Sequence, residues 1–297
     1  MTDRTQPHAS PRFSLRILIA ILIMLAGLSL LLYPIVSQSI SALDEASAVA
    51  HYDDAAAKLG HEQREKVLQA ARDYNYRLSV GKTPIPSLYD EHYQNDREYM
   101  SQLSVKGSAD ALSVIATLEI PKISVNLAIR RGTTVQTLSS GAGHLYGTSL
   151  PVGGKGSNSV IAGHRGLPNA LIFTRLDELK KGDYLFIHVL GEKLSYRVDK
   201  MWVVGPQDTT HLGITPGKDY VTLLTCTPYG VNSHRLLVRA ERVSDSAARV
   251  QSDDGIYPSW VYTGLVAAAV MIVGCGIAAR RSRVRYSRRS AAAHSAQ

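Results

Sequence analysis

The sequence predicts a mainly β fold, a closed or nearly closed barrel, with helices on its N-terminal side and two transmembrane helices. Short runs rich in Val, Ile, Leu, Thr and Tyr fill the second half of the chain, and Gly, Pro, Asn and Ser separate them. Many short strands divided by such turn residues are typical of β-barrels. The strand candidates are residues 114–120, 125–129, 159–161, 184–189, 194–204, 221–225 and 235–240.

Helical patterns lie mainly before the barrel. Residues 42–78 are rich in Ala, Glu, Lys, Gln and Arg and have apolar residues at helical spacing, which predicts one or two membrane-proximal helices. Glycine and prolines then open a polar connector, and residues 97–103 regain a short helix. Within the barrel half, the apolar spacing of residues 170–179 predicts one further helix.

Two uncharged apolar segments, residues 17–36 and 259–279, are each long enough to cross a bilayer as a helix. The first is longer than the apolar core of a signal peptide and has no nearby small-x-small cleavage site, so we expect an uncleaved anchor. Arginines lie outside both segments, in residues 1–16 and 280–297, and basic residues mark the cytoplasmic ends of spans. We therefore expect both termini in the cytoplasm and residues 37–258 outside the cell membrane.

The basic charge of the chain lies in its tails. The formal net charge is +8, and residues 1–16 and 280–297 carry +2 and +6 of it. The region between the tails is therefore neutral, which argues against nucleic acid as a partner. The sequence also has no glycine-rich nucleotide loop and no clustered set of metal ligands, so neither a cofactor nor a metal is expected.

These observations divide the chain into seven segments. A cytoplasmic tail, a span, a membrane-proximal helical region, the catalytic barrel, a linker, a second span and an arginine-rich cytoplasmic tail follow one another. Their predicted bounds are 1–16, 17–36, 37–110, 111–245, 246–258, 259–279 and 280–297.

Cys226 is a candidate nucleophile. The other of the two cysteines, Cys275, lies inside the second predicted span, where a disulfide to Cys226 is geometrically improbable. A lone thiol outside the cytoplasm suggests a chemical role, and the alternative is an inert buried cysteine.

Arg235 is a candidate partner of Cys226. Cys226 ends one predicted strand and Arg235 opens the next, so antiparallel pairing makes them neighbours at the barrel rim. A guanidinium there can stabilise a thiolate or an oxyanion, and a solvated edge-strand charge is the alternative.

The spacing of residues leaves open which of ten histidines assists Cys226. His164 follows an apolar run with glycines on both sides, where a strand gives way to a loop and other groups can approach closely. His144 has a similar glycine-rich setting, and His234 adjoins Arg235. Because a lone histidine is more often structural than catalytic, spacing favours His164 only slightly.

Two spaced motifs resemble the sortase family. Residues 222–226, Thr-Leu-Leu-Thr-Cys, followed by Arg235, resemble the active-site strand of sortases. Residues 162–166, Ala-Gly-His-Arg-Gly, resemble the segment that carries the catalytic histidine of the family. The resemblance covers roughly residues 115–242. Further stretches are similar to class C, the pilus-building branch, at residues 147–151, 165–168 and 226–230.

The resemblance implies an eight-stranded sortase barrel and a cysteine transpeptidase. In that family the cysteine cleaves a Leu-Pro-x-Thr-Gly-type sorting signal between Thr and Gly and forms a thioacyl enzyme, which an amine resolves. Carried over, Cys226 is the nucleophile, His164 the general acid and base, and Arg235 the stabiliser of substrate and oxyanion. The implied partners are pilins or surface proteins with C-terminal sorting signals, an amine from a pilin lysine or a cell-wall precursor, and membrane lipid.

Class C is the branch that the resemblance favours, and the two-anchor arrangement suits it, because many class A enzymes have only the N-terminal anchor. Class C enzymes usually carry an Asp-Pro-aromatic lid ahead of the barrel, and residues 84–93 have no such tripeptide. Tyr89, Asp90 or Tyr93 is the candidate replacement, and we expect the segment to lie over Cys226. Two alternatives stay open: a housekeeping sortase that anchors surface proteins to the cell-wall precursor, and a non-catalytic membrane adaptor that only binds sorting signals. The presence of all three motif residues argues against the adaptor.

Overall fold

A computed structural model of the chain describes residues 15–81, 91–105, 114–249, 253, 263–264, 266–274, 276–277 and 280–281. The chain divides into two compact units. One comprises Ser37–Ile256 and holds the barrel with the helices packed on it, and the other comprises Met1–Val36 and Tyr257–Gln297.

The first helix, α1 (Leu15–Ala57), contains the first predicted span. Among the described residues, it is the one helix long and apolar enough to cross a membrane, which is compatible with the expected N-terminal anchor. In the second predicted span, residues 266–274 are helical. Other residues of 259–279 lie outside the described part of the chain, so the second crossing stays a prediction.

The structure has helices in the region where the sequence predicts them. The last residues of α1 and the whole of α2 (His61–Val80) cover the predicted helical region. Helix α2 packs on the barrel, and the Asn75 side chain fastens it there. Asn75 Nδ2 donates to Leu150 O at 3.0 Å, and Asn75 Oδ1 accepts from the Leu150 N–H at 2.7 Å. The apolar residues that α2 buries are Leu68, Ala71 and Tyr74.

The connector between α2 and the barrel ends in the predicted short helix, α3 (Arg97–Ser101), whose N-cap Asp96 accepts the Tyr99 N–H at 3.0 Å. Tyr93, the last residue of the expected lid segment, is buried with its ring centroid 5.9 Å from that of Tyr99 and 6.4 Å from that of Tyr146. Its ring therefore belongs to this tyrosine cluster. Residues 84–90 lie outside the described residues, and the lid stays a prediction.

Eight strands close into a barrel, as the resemblance implies. Their order around the barrel is β1-β2-β3-β4-β7-β8-β6-β5. All seven predicted strands are present, and the sequence did not predict β3, because three residues with a central glycine carry no strand pattern. The bounds are β1 (Val114–Ile120), β2 (Val125–Arg131), β3 (Ala142–His144), β4 (Ser157–Gly163), β5 (Tyr184–Val189), β6 (Glu192–Val204), β7 (Asp219–Thr227) and β8 (His234–Arg242).

Three strand ends meet at one rim of the barrel. Strands β4 and β7 are parallel neighbours, and their pairing runs as far as Ala162 with Leu224. Strands β7 and β8 are antiparallel, and Cys226 pairs with Arg235. The C-terminal ends of β4 and β7 and the start of β8 therefore lie together.

The helix predicted at residues 170–179 is wrong. This segment is a loop with one 3-10 turn, Leu176–Glu178, and the φ of Ile172 is +30°, which an α-helix does not allow. Its apolar side chains are buried because the loop packs on β4. A Cβ atom at Gly163 would lie 2.7 Å from Phe173 Cδ2. The apolar spacing therefore reflects loop packing. The sequence also did not predict a short helix, α4 (Val135–Ser139).

His144, a candidate base, lies in the core. Its side chain is fully buried, with Nδ1 2.9 Å from Tyr99 Oη and Nε2 2.8 Å from Ser149 O. The carbonyl acceptor assigns the proton to Nε2, which donates to Ser149 O, and Nδ1 accepts from the Tyr99 hydroxyl. Burial lowers the pKa of His144 from 6.5 to about 4. His144 is therefore a neutral, structural histidine.

We expect His144 to make the folded protein sensitive to acid. The pKa of His144 is about 4 in the folded protein and 6.5 in the unfolded chain. The contribution of the neutral imidazole to the free energy of unfolding is therefore complete above pH 6.5 and decreases as the pH falls toward 4. The free energy of unfolding should decrease by roughly 3 kcal/mol over that window. Urea unfolding of residues 37–256 should show a weaker pH dependence in His144→Gln. The exposed His51→Gln is the control, and an unchanged slope in His144→Gln would contradict the assignment.

Candidate active site

One face of the sheet formed by β4, β7 and β8 leads to the candidate residues. A buried apolar cluster covers this face, and its members on these strands are Val160, Ala162, Leu224 and Leu237. Alternate residues of a strand share a face. Continuing the alternation to the rim, the next residues on this face are His164, Cys226 and Arg235.

The strand register brings these three residues to one level. Cys226 and Arg235 are direct partners across β7 and β8, a position in which Cβ atoms are about 5 Å apart. Strand β4 ends at Gly163, and His164 directly follows it. The parallel pairing of Ala162 with Leu224, extended by two residues along each chain segment, puts His164 at the level of Cys226. The residues predicted from two separate motifs thus come together at one rim.

Two side-chain hydrogen bonds join the segment that carries the candidate base to the segment that carries the nucleophile. Thr225 Oγ1 donates to Gly163 O at 2.7 Å. Arg165 Nη1 donates to Thr227 Oγ1 at 3.1 Å. These bonds lie one residue before and one residue after the histidine and the cysteine, so they hold the two segments side by side at that level.

His164 is half-buried where β4 enters the following loop. Its carbonyl oxygen accepts the Phe173 N–H at 3.1 Å, which ties the backbone of the histidine to the loop packed above it. Burial penalises the charged imidazolium and lowers the pKa of His164 below its usual 6.5. A neutral imidazole near pH 7 is ready to accept a proton.

Cys226 is partly exposed at the end of β7. It is the free cysteine of the described part of the chain. Beyond it, the connector to β8 presents Tyr229 and Val231, which are 55% and 68% exposed. A thiol must be accessible as well as supported by neighbouring groups to act as a nucleophile. The position of Cys226 meets the first of these requirements.

Arg235 is 8% exposed and is held by the turn that precedes it. Its Nη1 atom donates to Asn232 O at 3.2 Å and to His234 O at 3.0 Å. His234 alternates to the other face of β8, is exposed, and has Nδ1 2.9 Å from Ser233 Oγ. Of the candidate bases, His164 is therefore the one that shares a face with the thiol.

Sequence reasoning missed the part that Arg165 plays in this site. Its side chain is 8% exposed and forms an ion pair with Asp177 at 2.6 Å. Its Nε atom donates to Thr174 O at 3.2 Å, and Nη1 reaches Thr227. The available signal was an arginine directly after a candidate catalytic histidine. Nothing in the local sequence identifies its partners, because they lie on a loop and on a distant strand.

The grouping of thiol, imidazole and guanidinium is the kind that acyl transfer requires. A thiol can attack a carbonyl carbon, an imidazole can move protons to and from the reacting groups, and a guanidinium can stabilise the oxyanion that forms. The described residues contain no group of three or more His, Cys, Asp or Glu side chains placed to hold a metal ion.

Comparison with protein families and curated proteins identifies a match over the barrel. The family model for the sortase domain matches residues 118–243. Sortase A of Bacillus anthracis is 32% identical over 142 residues, which make up 48% of this chain and 66% of that protein. The chain spans 58% to 66% of the length of this and two other curated sortases, which is less than two thirds.

Solved structures match nearly over their whole length. Sortase C of Streptococcus pneumoniae, whose structure bears on pilin substrate specificity, is 37% identical with a TM-score of 0.58, covering 67% of this chain and 97% of that one. Sortase A of Corynebacterium diphtheriae is 41% identical with a TM-score of 0.60, covering 69% and 96%. The chain therefore belongs to the sortase family of cysteine transpeptidases, and its structural neighbours include class C, pilus-associated enzymes.

Proposed function

We propose that this chain is a membrane-anchored class C sortase that polymerises pilins. It cleaves a Leu-Pro-x-Thr-Gly-type sorting signal between Thr and Gly and transfers the new acyl group to a pilin lysine. The observation that supports the proposal is the strand register, which pairs Cys226 with Arg235 and brings the end of β4, directly followed by His164, beside β7. That placement supplies a nucleophile, a proton carrier and an oxyanion stabiliser to one carbonyl.

The first half-reaction forms a thioester. Neutral His164 accepts the Cys226 proton, and the sulfur attacks the carbonyl carbon of the signal threonine. Arg235 stabilises the negative charge on the tetrahedral oxygen. The carbon–nitrogen bond then breaks, and the His164 imidazolium donates its proton to the departing glycine amine. The acyl group is left on Cys226.

The second half-reaction reverses these roles. An amine attacks the thioester carbonyl and loses a proton to His164, Arg235 again stabilises the oxyanion, and the carbon–sulfur bond breaks. The thiolate of Cys226 recovers the proton from His164. A new amide bond has formed, and the enzyme has returned to its starting state with no cofactor consumed.

The identity of the amine separates the two candidate functions. The S. pneumoniae neighbour is a sortase C described with pilin substrate specificity, which favours a pilin lysine. The curated relatives include proteins called sortase A, and the alternative function is the anchoring of surface proteins to a cell-wall precursor. An assay that offers one sorting-signal peptide together with either a pilin domain or a cell-wall precursor amine decides between them by the product formed.

Removing the nucleophile should abolish turnover. In Cys226→Ala the covalent route is lost, so transpeptidation of a sorting-signal peptide by the full chain in detergent should fall by more than about a thousandfold. The fold should persist, because the side chain is partly exposed at a strand end. The matched control is Cys275→Ala, which removes the other cysteine of the chain and should keep full activity. Turnover retained in Cys226→Ala would exclude the mechanism.

The His164 imidazole should titrate below pH 6.5. Burial disfavours its charged form and lowers its pKa, so near pH 7 the ring is mainly neutral. The measurement is a pH titration by NMR of histidine labelled at Cε1, with His164→Gln identifying the resonance. Cys226→Ala should leave the midpoint below 6.5. A midpoint above 6.5 in the wild type that falls in Cys226→Ala would show that a thiolate–imidazolium pair outweighs burial.

Both termini should face the cytoplasm, with residues 37–258 outside. The reason is that arginines precede the first apolar segment and follow the second. Protease treatment of intact cells should therefore digest the barrel unit and spare tags at either terminus. The N-terminal tag is the internal control, because it precedes α1, which is long and apolar enough to cross a membrane. A C-terminal tag cut from outside would show that residues 259–279 do not cross the membrane.

A further inference from the structure

Arg165 lies at the centre of a polar network at the site. Its three nitrogen atoms have three different acceptors: Nε donates to Thr174 O at 3.2 Å, Nη1 to Thr227 Oγ1 at 3.1 Å and Nη2 to Asp177 at 2.6 Å. The guanidinium carbon also lies 5.9 Å from the centroid of the Tyr229 ring. One side chain thus joins β7, the β7–β8 connector and the loop that follows β4.

The backbone after His164 is not fixed by its own conformational preferences, so its position depends on contacts with neighbouring segments. Gly166 has a φ of +84°, a conformation that glycine adopts without strain, so the backbone beyond the histidine is intrinsically permissive. The Gly166 N–H donates to Thr174 Oγ1 at 3.3 Å. Arg165 adds the side-chain bond from this segment to the strand that carries the nucleophile, one residue beyond Cys226.

We propose that Arg165 is a positioning residue, which sets His164 against Cys226 by joining its own segment to Thr227. This inference rests on the proposed function, because it assigns His164 the proton transfers. Arg165 acts through the histidine and does not contact the substrate. Its side chain is 8% exposed, and Asp177 balances its charge. The fork shape of a guanidinium suits this task, because it serves several acceptors in fixed directions and an ammonium does not.

Another arginine of the same loop provides a matched control. Arg175 is 11% exposed and forms ion pairs with Glu178 and Asp253, both at 2.7 Å. Its bonds tie the loop to the segment after the barrel, whereas those of Arg165 reach β7. Arg175→Gln therefore removes an arginine of similar burial and charge pairing while leaving the bond to Thr227 in place.

The test compares Arg165→Gln, Arg165→Lys, Thr227→Val and Arg175→Gln in the full chain in detergent. The measurements are kcat and KM with a sorting-signal peptide, the melting temperature, and the pH dependence of Cys226 alkylation. We expect kcat to fall about tenfold to a hundredfold in Arg165→Gln with KM little changed, since a displacement of about 1 Å costs this much. The pH dependence of alkylation should also shift, because the imidazole no longer supports the thiol. Arg165→Lys should recover only part of the rate.

Thr227→Val keeps the inference testable if Arg165→Gln fails to fold, because it removes only the acceptor and preserves the side-chain shape. It should lower kcat, and the double variant Arg165→Gln, Thr227→Val should be no slower than Arg165→Gln alone. Arg175→Gln should keep the wild-type kcat. Loss of kcat in Arg175→Gln equal to that in Arg165→Gln, or wild-type kcat in both Arg165→Gln and Thr227→Val, would overturn the inference. If the wild type itself has no more turnover than Cys226→Ala, the proposed function fails instead.

Discussion

The parallel pairing of β4 and β7 is the constraint on which the site depends. These strands are distant in sequence, and their register of Ala162 with Leu224 sets how far each runs toward the rim. A shift of one residue in a strand moves each of its side chains to the opposite face. His164 would then leave the face of Cys226, even though both residues stayed in their motifs. The apolar cluster on that face fixes the register, because slippage would expose its buried members.

From Ser37 onward, the helices before the barrel belong to the same compact unit as the barrel. Tyr52 of α1 donates its hydroxyl hydrogen to Ile115 O and accepts the Leu190 N–H, each at 3.0 Å, so it links β1 to the end of β5. Nearby, Glu45 and Arg130 form a buried ion pair at 2.8 Å. Removing one partner of such a pair costs about 3–5 kcal/mol, because the other charge stays buried without compensation. Residues before β1 therefore stabilise the barrel.

Features of the fold and site that depend on neighbouring stretches of sequence could be predicted. The adjacency of Cys226 and Arg235 follows from a hairpin, in which consecutive strands pair. The contact of the histidine segment with β7 does not follow from any local rule, because a parallel pair joins segments far apart in the chain. The prediction of a helix at residues 170–179 was wrong for a related reason. The apolar spacing of this segment reflects its packing on Gly163 of β4, which is a tertiary contact. Motif resemblance selected His164, where spacing alone favoured it only slightly over His144.

At the rim, the alternation of side chains separates the reactive groups from the residues that link the strands. On one face lie the thiol, the imidazole and the guanidinium of Arg235, which are the groups suited to acyl transfer. The residues between and beside them, Gly163 with Thr225 and Arg165 with Thr227, form the cross-links between the strands. Because these cross-links hold the strands together, the thiol and the imidazole can change protonation and bonding during a reaction. The same alternation explains why a motif of consecutive residues, such as Ala-Gly-His-Arg-Gly, can combine a reactive group and its support.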